Sequence, residues 1–191
     1  MDMSWPKDHK QATRQRIVEA AAAAFRERGV ADVGVAEIMR RAGLTHGGFY
    51  AHFESKDDLL AAALDHAAIQ TAVKNHPSPD QLLNVALTYL SPSHLIHPES
   101  GCPVAALGPE LARCSRKVKQ TFAATINTRL KNLSDLISSR VPLEKRKRLT
   151  AGAAACMVGG LVLARGLKEA EALELLKDCQ AFLLDTLATD V

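Results

Sequence analysis

The chain has 191 residues and a net charge of +3, so it is not a general polyanion binder and any nucleic-acid contact must use a local basic face. Apolar residues make up 47% and aromatic residues only 4%, a balance that favours packed helices over a β-rich core. Four cysteines without CxxC spacing, no signal-peptide core, and an apolar stretch (149–164) too short and glycine-rich to span a membrane predict a soluble cytoplasmic protein.

The first helix is predicted from TRQRIVEAAAAAFRERG. Apolar residues recur in it at helical spacing, Thr13 is a candidate N-cap, and Gly29 is a stop. The segment 35–42 predicts a second, shorter helix that Gly43 closes with a left-handed cap. These two helices follow each other after only a short turn.

Two further helices follow directly. Thr45 can cap a brief helix over 46–53, and Ser55 can cap a long helix that runs to about residue 75. Farther on, six prolines between 77 and 109 divide the middle of the chain into short helices at 80–90 and 104–114. Three long helices are expected at 115–140, 143–165 and 168–187. The chain is therefore predicted to be all-α, with about nine helices.

The stretch GLTHGGFYAHFESKDDLL contains the features that packing alone does not require. A two-turn helix, a Gly-Leu-Thr turn and a second short helix have the proportions of a helix-turn-helix, whose second helix enters the DNA major groove. Gly47 and Gly48 each cost about 1 kcal/mol in a helix relative to Ala. Their lack of side chains would let the backbone approach phosphate closely.

The run 13–64 resembles the DNA-binding domain of TetR-family transcriptional repressors. The matching pieces are the entry helix, the helix VAEIMRRAG, the turn LT, and the ending GGFYAHFESKDDLL, which is similar to the family's aromatic-Tyr-x-His-Phe-x-x-Lys pattern. The resemblance implies a helix-turn-helix DNA-binding domain at 10–54 and a helical effector-binding and dimerisation domain at 55–191. It further implies a homodimeric repressor that binds a palindromic double-stranded DNA operator and responds to a small molecule.

Carried over residue by residue, the resemblance implies phosphate contacts and groove readers. The phosphate contacts are Thr45, Tyr50, His52 and Lys56, and the groove readers are His46, Gly47 and Phe49, with Gly48 beside them. Taken singly, Tyr50 is equally well a half-buried packing residue and His52 a capped surface histidine. The Gly47-Gly48 pair leaves few side chains to read bases, so the operator sequence stays open.

The last two long helices are expected to form the dimer interface. They carry apolar and small residues at helical spacing, which would let another helix approach closely, and by resemblance they look like the intersubunit four-helix bundle of TetR-family dimers. The alternative is that these stripes close the core of the single chain. The residues are Ala153, Cys156, Met157, Gly160, Leu161, Ala164, Leu173, Leu176, Phe182 and Leu183.

The middle segment HLIHPESGCPVAALGPELARC suggests a sensor. If Pro103 begins a helix, Cys102 is its N-cap, where the helix dipole favours a reactive thiolate. A Gly-Cys before this helix also resembles some family members that respond to electrophiles or oxidants. The alternative is an inert cysteine beside a loop. Candidate pocket residues, each of which is also an ordinary core residue, are Leu95, Ile96, Val104, Leu107, Phe122, Ile126 and Met157.

Other function classes have little support in the sequence. His94, His97 and Cys102 could hold a metal only if the proline-rich segment formed a helical turn, so ordinary loop residues are favoured and no cofactor or metal is expected. An enzyme is disfavoured because GxSxG, Walker, HExxH and dinucleotide motifs are absent. A helical enzyme, or a helical interaction module that has lost DNA binding, remains the alternative.

Overall fold

A computed structural model of the chain describes residues 7–71 and 81–190. Within them there are helices and no strand, which confirms the all-α prediction. The α-helices are α1 (Lys7–Arg28), α2 (Val35–Arg41), α3 (Lys56–Gln70), α4 (Gln81–Tyr89), α5 (Pro92–Ile96), α6 (Pro103–Leu111), α7 (Arg116–Asp135), α8 (Leu143–Ala164) and α9 (Glu169–Asp190). Two 3-10 helices occupy His46–Ala51 and Pro98–Ser100.

The predicted helix signals mostly act where they were expected. Gly29 and Gly43 end α1 and α2 with positive φ angles of 87° and 68°, a region that glycine enters without strain. The Ser55 hydroxyl accepts a hydrogen bond from the Asp58 N–H (3.1 Å) and caps α3. Cys102 is the N-cap of α6 with Pro103 at the first position. The predicted continuation of α3 to about residue 75 lies outside the described residues.

Several helix bounds differ from the prediction. α1 begins at Lys7, so Thr13 is a buried residue inside the helix and not its cap. The brief helix after Thr45 is a 3-10 helix, and Thr45 makes no side-chain cap bond. α7 ends at Asp135 instead of continuing to 140; the N–H groups of Leu136 and Ile137 bond the carbonyls three residues back, so α-helical pairing stops there. α5 was not predicted; Ser91 caps it and Pro92 begins it.

The N-terminal core is built around α1 and α3. Ile17, Ala21 and Phe25 of α1 are fully buried against Leu60 and Leu64 of α3. The same cluster contains side chains from α2, from the first 3-10 helix, and from α6 and α7. The core therefore joins the first three helices to the middle of the chain without a break.

The C-terminal core lies between α4, α7, α8 and α9. Leu133, Met157, Leu176 and Leu183 are buried in it. A Cβ at Gly160 would lie 2.8 Å from the Cys179 Sγ, so this glycine permits the close packing of α8 on α9. The two long helices therefore form a tightly joined pair.

One helix among the described residues, α8, is long and apolar enough to cross a membrane by length and composition alone. Its most apolar window has a mean hydropathy of 1.3, and a third of that window is buried. α8 packs on α7 and α9, as the core helix of a folded domain does. Its remaining apolar surface is exposed and is described below.

Candidate functional site

The turn between α2 and the 3-10 helix fixes the orientation of the predicted reading segment. The Leu44 N–H donates to the Met39 carbonyl (2.9 Å), and Arg16 of α1 donates to the Ala42 carbonyl (2.5 Å). Gly43 takes the left-handed conformation between them. The helix-turn-helix geometry is thus held by α1 as well as by its own backbone.

Phe49 corrects the sequence expectation. It was expected to read the groove, but only 1% of its surface is exposed and it packs in the N-terminal core. Its ring stacks on Phe53 with centroids 5.9 Å apart. Phe49 therefore anchors the 3-10 helix to the protein and cannot contact a duplex.

The neighbouring residues face outward. Tyr50 is 72% exposed and its ring meets Phe49 edge-on, which excludes the half-buried packing alternative. Thr45, His46 and Gly47 are exposed as well. A Cβ at Gly47 would meet nothing within 4 Å, so packing inside the protein does not require glycine there. This surface is open to an external partner.

His52 and Lys56 lie at the edge of this surface in less open positions. His52 is half-buried, and its Nδ1 is buried without a hydrogen-bond partner among the described residues. Burial, and then Lys10 and Arg14, lower the pKa of His52. Lys56 donates to the Val30 carbonyl (2.6 Å), so its ammonium is already engaged by the protein.

Sequence reasoning missed two cations of α1. Lys10 and Arg14 are exposed, one helical turn apart, and close enough to His52 to affect its pKa. The Arg14 guanidinium lies 4.6 Å from the Phe53 ring centroid. Their i, i+4 spacing, just before the apolar residues of α1, could have indicated that both side chains lie on one exposed side of the helix. Arg41, at the end of α2, is instead paired with Glu27 and Glu37.

A cavity of about 570 Å³ lies between α3, α4, α7 and α8. Cys102 lines it, and so do Val104, Ile126 and Met157 of the predicted pocket residues. The other predicted pocket residues do not. Ile96 is 66% exposed on α5, Leu107 is buried in the N-terminal core, and Phe122 packs against that core. Leu95 packs against the C-terminal core. Leu107 and Phe122 were misassigned because the sides of α6 and α7 that carry them pack against the N-terminal core.

His94 and Cys102 are joined in a different way from the metal-site alternative. The Cys102 N–H donates to His94 Nε2 (2.9 Å), and His94 Nδ1 lies 2.7 Å from the Tyr89 carbonyl. His97 instead pairs with Glu99. The described residues contain no group of three metal-ligating side chains. Cys102 itself is buried, so a reagent must enter the cavity to reach its sulfur.

The cavity and the helix-turn-helix are connected by α6. Its first residues border the cavity, and near its other end the Glu110 carboxylate accepts hydrogen bonds from the N–H groups of Val30 (2.7 Å) and Ala31 (3.3 Å). A Cβ at Gly29 would lie 2.6 Å from Glu110 Oε1. Arg26, buried in α1, donates to the Gly101 carbonyl (3.1 Å) just before α6.

The predicted dimer residues are mostly internal. Cys156 and Leu173 are half-buried and Phe182 is 59% exposed. The alternative reading is correct for the other seven, which are buried within the single chain and cannot form an outer face: Ala153, Met157, Gly160, Leu161, Ala164, Leu176 and Leu183. The outward positions of α8 are the chain neighbours of the predicted ones. They are Gly152, Ala155, Gly159, Val162 and Leu163.

That outward surface is apolar and small. Leu163 is 63% exposed, and a Cβ at Gly152 or Gly159 would meet open space. With Phe182 of α9 these residues form what we term the outer face of α8 and α9. The small residues that would let another helix approach closely are therefore present, one position away from those predicted.

Comparisons with known proteins agree with this geometry. Residues 17–63 match the family model described as bacterial regulatory proteins, tetR family. The chain is 41% identical over 78 residues to the probable HTH-type transcriptional regulator ArpR of Pseudomonas putida, covering 40% of this chain and 37% of the relative. It is 48% identical over 59 residues to the HTH-type transcriptional regulator TtgR, also of Pseudomonas putida, covering 31% and 28%.

These matches span only about a third of each curated relative. Similarity across the whole fold comes from a solved structure, a TetR transcriptional regulator from Chloroflexus aurantiacus. It superposes with a TM-score of 0.78 at 27% identity, covering 96% of this chain and 98% of that one. All three proteins are described as transcriptional regulators.

Proposed function

Because the chain belongs to the TetR family of bacterial regulatory proteins, we propose that it is a cytoplasmic transcriptional repressor that binds a palindromic DNA operator as a homodimer and releases it on binding an effector. We take 10–54 as the DNA-binding domain and 55–191 as the effector-binding and dimerisation domain. The observation that carries the proposal is the surface formed by Thr45, His46, Gly47 and Tyr50, which Phe49 anchors to the core and which the described part of the chain leaves exposed.

The proposed DNA contacts are revised by burial. His46, Gly47 and the Gly48 backbone face the groove, and Thr45, Tyr50 and His52 contact phosphates. Arg14 and Lys10 extend the basic edge. Lys56 contributes its charge while its ammonium remains bonded to Val30. Phe49 takes no part.

A homodimer is proposed because an operator with two half-sites needs two reading segments about 34 Å apart. The outer face of α8 and α9 supports this, since its exposed leucine, valine and phenylalanine lie beside glycines that leave room for a second helix. A second copy of the chain would cover these residues.

Effector response is proposed to pass through α3 and α6. α3 contributes Asp65, Ala68 and Ile69 to the cavity, and its first turn lies beside the helix-turn-helix. α6 joins the same cavity to the Gly29–Ala31 loop through Glu110. An effector that prefers a shifted arrangement of these helices would change the separation of the two reading segments. A thiol reagent that entered the cavity and modified Cys102 would act at the same place.

The first test is binding to the DNA that flanks the chain's own coding region, measured by fluorescence anisotropy at several salt concentrations. We expect a specific site with nanomolar affinity that weakens as salt increases. Tyr50→Phe should weaken binding about two- to ten-fold through loss of one hydrogen bond. It should leave thermal stability unchanged, because the side chain is exposed.

Tyr89→Phe is the matched control, since Tyr89 is the only other tyrosine and lies in the cavity wall. It should bind effector-free operator as the parent does. Unchanged affinity and salt dependence in both Tyr50→Phe and Lys56→Ala would contradict the proposed contacts.

Cys102→Ser tests the thiol route. If an electrophile still releases this variant from DNA, Cys102 is not the sensor.

A further inference from the structure

The apolar cavity opens onto a second, more polar one. This neighbouring space of about 540 Å³ is bordered by Asn84, Ser91, Ser93 and His94 among others. The two share five lining residues, which we term the junction: Thr71, Val85, Tyr89, Cys102 and Arg129. On one side of the junction the walls are aliphatic, and on the other they carry hydroxyl, amide and imidazole groups. A ligand spanning it would meet both environments.

Arg129 is the charged group at this junction. One of its terminal nitrogens donates to the Thr71 hydroxyl, and its Nε is buried without a hydrogen-bond partner among the described residues. No ion pair in the described part of the chain involves it. Arg129 is half-buried, and a guanidinium that faces a largely apolar cavity with one hydroxyl acceptor and no carboxylate is only partly compensated for the hydration it has lost.

The surroundings of Arg129 add positive charge. Arg26 and Arg165 lie close enough to Cys102 and Glu99 to interact with them electrostatically. Burial lowers the pKa of both guanidinium groups and of His94, and Arg165 and Arg129 add to the effect on His94. Glu99, already paired with His97, is the carboxylate in this group. With Asp65 of the apolar lining counted beside Glu99, three arginines face two carboxylates, which leaves a net positive charge around the junction.

The Tyr89 hydroxyl is a second junction group that suits an anion. The Tyr89 hydroxyl is buried with the Cys102 thiol beside it, at best a weak hydrogen-bond partner, and burial followed by Cys102 raises its pKa. It therefore stays protonated and can donate. Asp65, the acidic residue of the apolar lining, is itself exposed and forms no ion pair with Arg129 among the described contacts.

We propose that the effector is an amphipathic monoanion: a carboxylate or similar acid that binds Arg129 and the Tyr89 hydroxyl at the junction, with an aliphatic or aromatic body in the apolar cavity. This inference rests on the proposed function, since it names the class of effector. An acid group supplies the counter-charge that Arg129 lacks and can accept from its terminal N–H groups, in the paired geometry that guanidinium groups favour with carboxylates. The apolar walls, Ile126, Leu130 and Val158 among them, bind the body of the ligand.

The experiment uses two acids and their neutral amides, which differ chiefly in charge: 1-naphthaleneacetate with 1-naphthaleneacetamide, and octanoate with octanamide. Binding to the full-length protein is measured by isothermal titration calorimetry. We expect at least one acid to bind once per chain with a dissociation constant below about 1 mM. Its amide should bind about ten- to one-hundred-fold more weakly, the usual worth of a charge-assisted hydrogen bond.

Three variants locate the site. Arg129→Gln should abolish the preference for the acid over the amide, and Arg129→Lys should keep part of it. Lys131→Gln removes a charge two residues away on the exposed side of α7 and should change nothing. Thermal unfolding establishes that each variant is folded. If neither acid binds, if acid and amide bind equally, or if the preference survives in Arg129→Gln, the inference is overturned.

The two proposals fail separately. Specific binding to operator DNA with no preference for either acid would overturn the effector class and leave the repressor intact. Arg129-dependent binding of an acid without any DNA binding would do the reverse. The acid that binds is then added to the protein-operator complex, where release of the DNA is the expected result.

Discussion

His94 has a defined tautomer because backbone groups occupy both of its ring nitrogens. The Cys102 N–H donates to Nε2, so Nε2 is unprotonated and Nδ1–H donates to the Tyr89 carbonyl. Protonation of Nε2 would remove the acceptor and add charge beside Arg165 and Arg129. Neutral His94 therefore holds the start of α6 in place.

This tautomer predicts a pH dependence of stability. The pKa of His94 is lowered, chiefly by burial, so in mildly acidic solution the unfolded chain binds a proton that the folded chain does not. Stability should be full above the ordinary histidine pKa and fall as pH decreases through it toward the folded pKa. His52 contributes in the same direction.

Urea unfolding at pH 7.5 and 5.5 measures the effect. The midpoint should be lower at pH 5.5, and His94→Gln should reduce the difference between the two pH values. The same measurement on His52→Gln separates the contribution of His52, whose pKa is also lowered, from that of His94. An equal loss of stability at both pH values in His94→Gln would show that only packing at that position matters.

The sequence does not predict the orientation of every side chain in the reading segment. The aromatic pair Phe49 and Tyr50 is adjacent in the chain, yet one is buried and the other is 72% exposed. The position of the Gly-Leu-Thr turn was predictable, but the 3-10 winding that follows it rotates successive side chains differently from an α-helix. The side chain that turned inward was therefore not predictable from spacing.

At the scale of elements, α6 packs in the N-terminal core through Leu107 and Leu111 and against Leu161 of α8 through Ala105. Glu110 accepts from the backbone N–H groups of Val30 and Ala31, which lie in the loop between α1 and α2 and so have no helical carbonyl to bond. We predict that Glu110→Ala lowers the free energy of unfolding by about 1.5–3 kcal/mol, as expected for loss of hydrogen bonds to a charged group.

Hydrogen exchange gives a local measurement of the same contact. The amides of Val30 and Ala31 should exchange faster in Glu110→Ala than in the parent protein. Glu174→Ala, an exposed glutamate on α9, is the matched control and should have no effect. Unchanged protection at Val30 would mean that Glu110 does not hold this loop.

Helix existence and most helix ends could be predicted, because caps and breakers act locally. Ser55, Gly43 and Cys102-Pro103 all end or begin helices as expected. The inward side of α8 could not be predicted. Alanine, glycine and leucine occur on both of its sides, so the sequence has no polar stripe to mark the outside. Most of the dimer positions predicted on α8 are consequently inward, one residue away from its outward positions.

At the scale of the whole molecule, the outer face of α8 and α9 is the surface through which we propose that two copies of the chain assemble. We predict that Phe182→Glu shifts the protein to monomer by raising the dimer dissociation constant about thirty-fold or more, because an unpaired charge would be buried in the interface. Sedimentation velocity over a concentration series measures this. Operator affinity should fall in parallel, since one half-site contact is lost.

Ile96→Glu provides the control. It places the same charge at an apolar residue of similar exposure that lies on α5, away from this face. It should sediment as the parent does. A parent protein that is monomeric at micromolar concentration, or a Phe182→Glu dimer of unchanged affinity, would remove the outer face as the interface.

The 3-10 winding of His46–Ala51 has a thermodynamic consequence for recognition. Such turns have poorer hydrogen-bond geometry than α-helices, and two adjacent glycines add backbone freedom. Binding of this segment in a DNA groove would restrict that freedom, so the entropy lost by the backbone would reduce the free energy of binding. Association should consequently carry an unfavourable entropy confined to these six residues, and replacing Gly47 with alanine would relieve part of it only on duplexes that leave room for a methyl group.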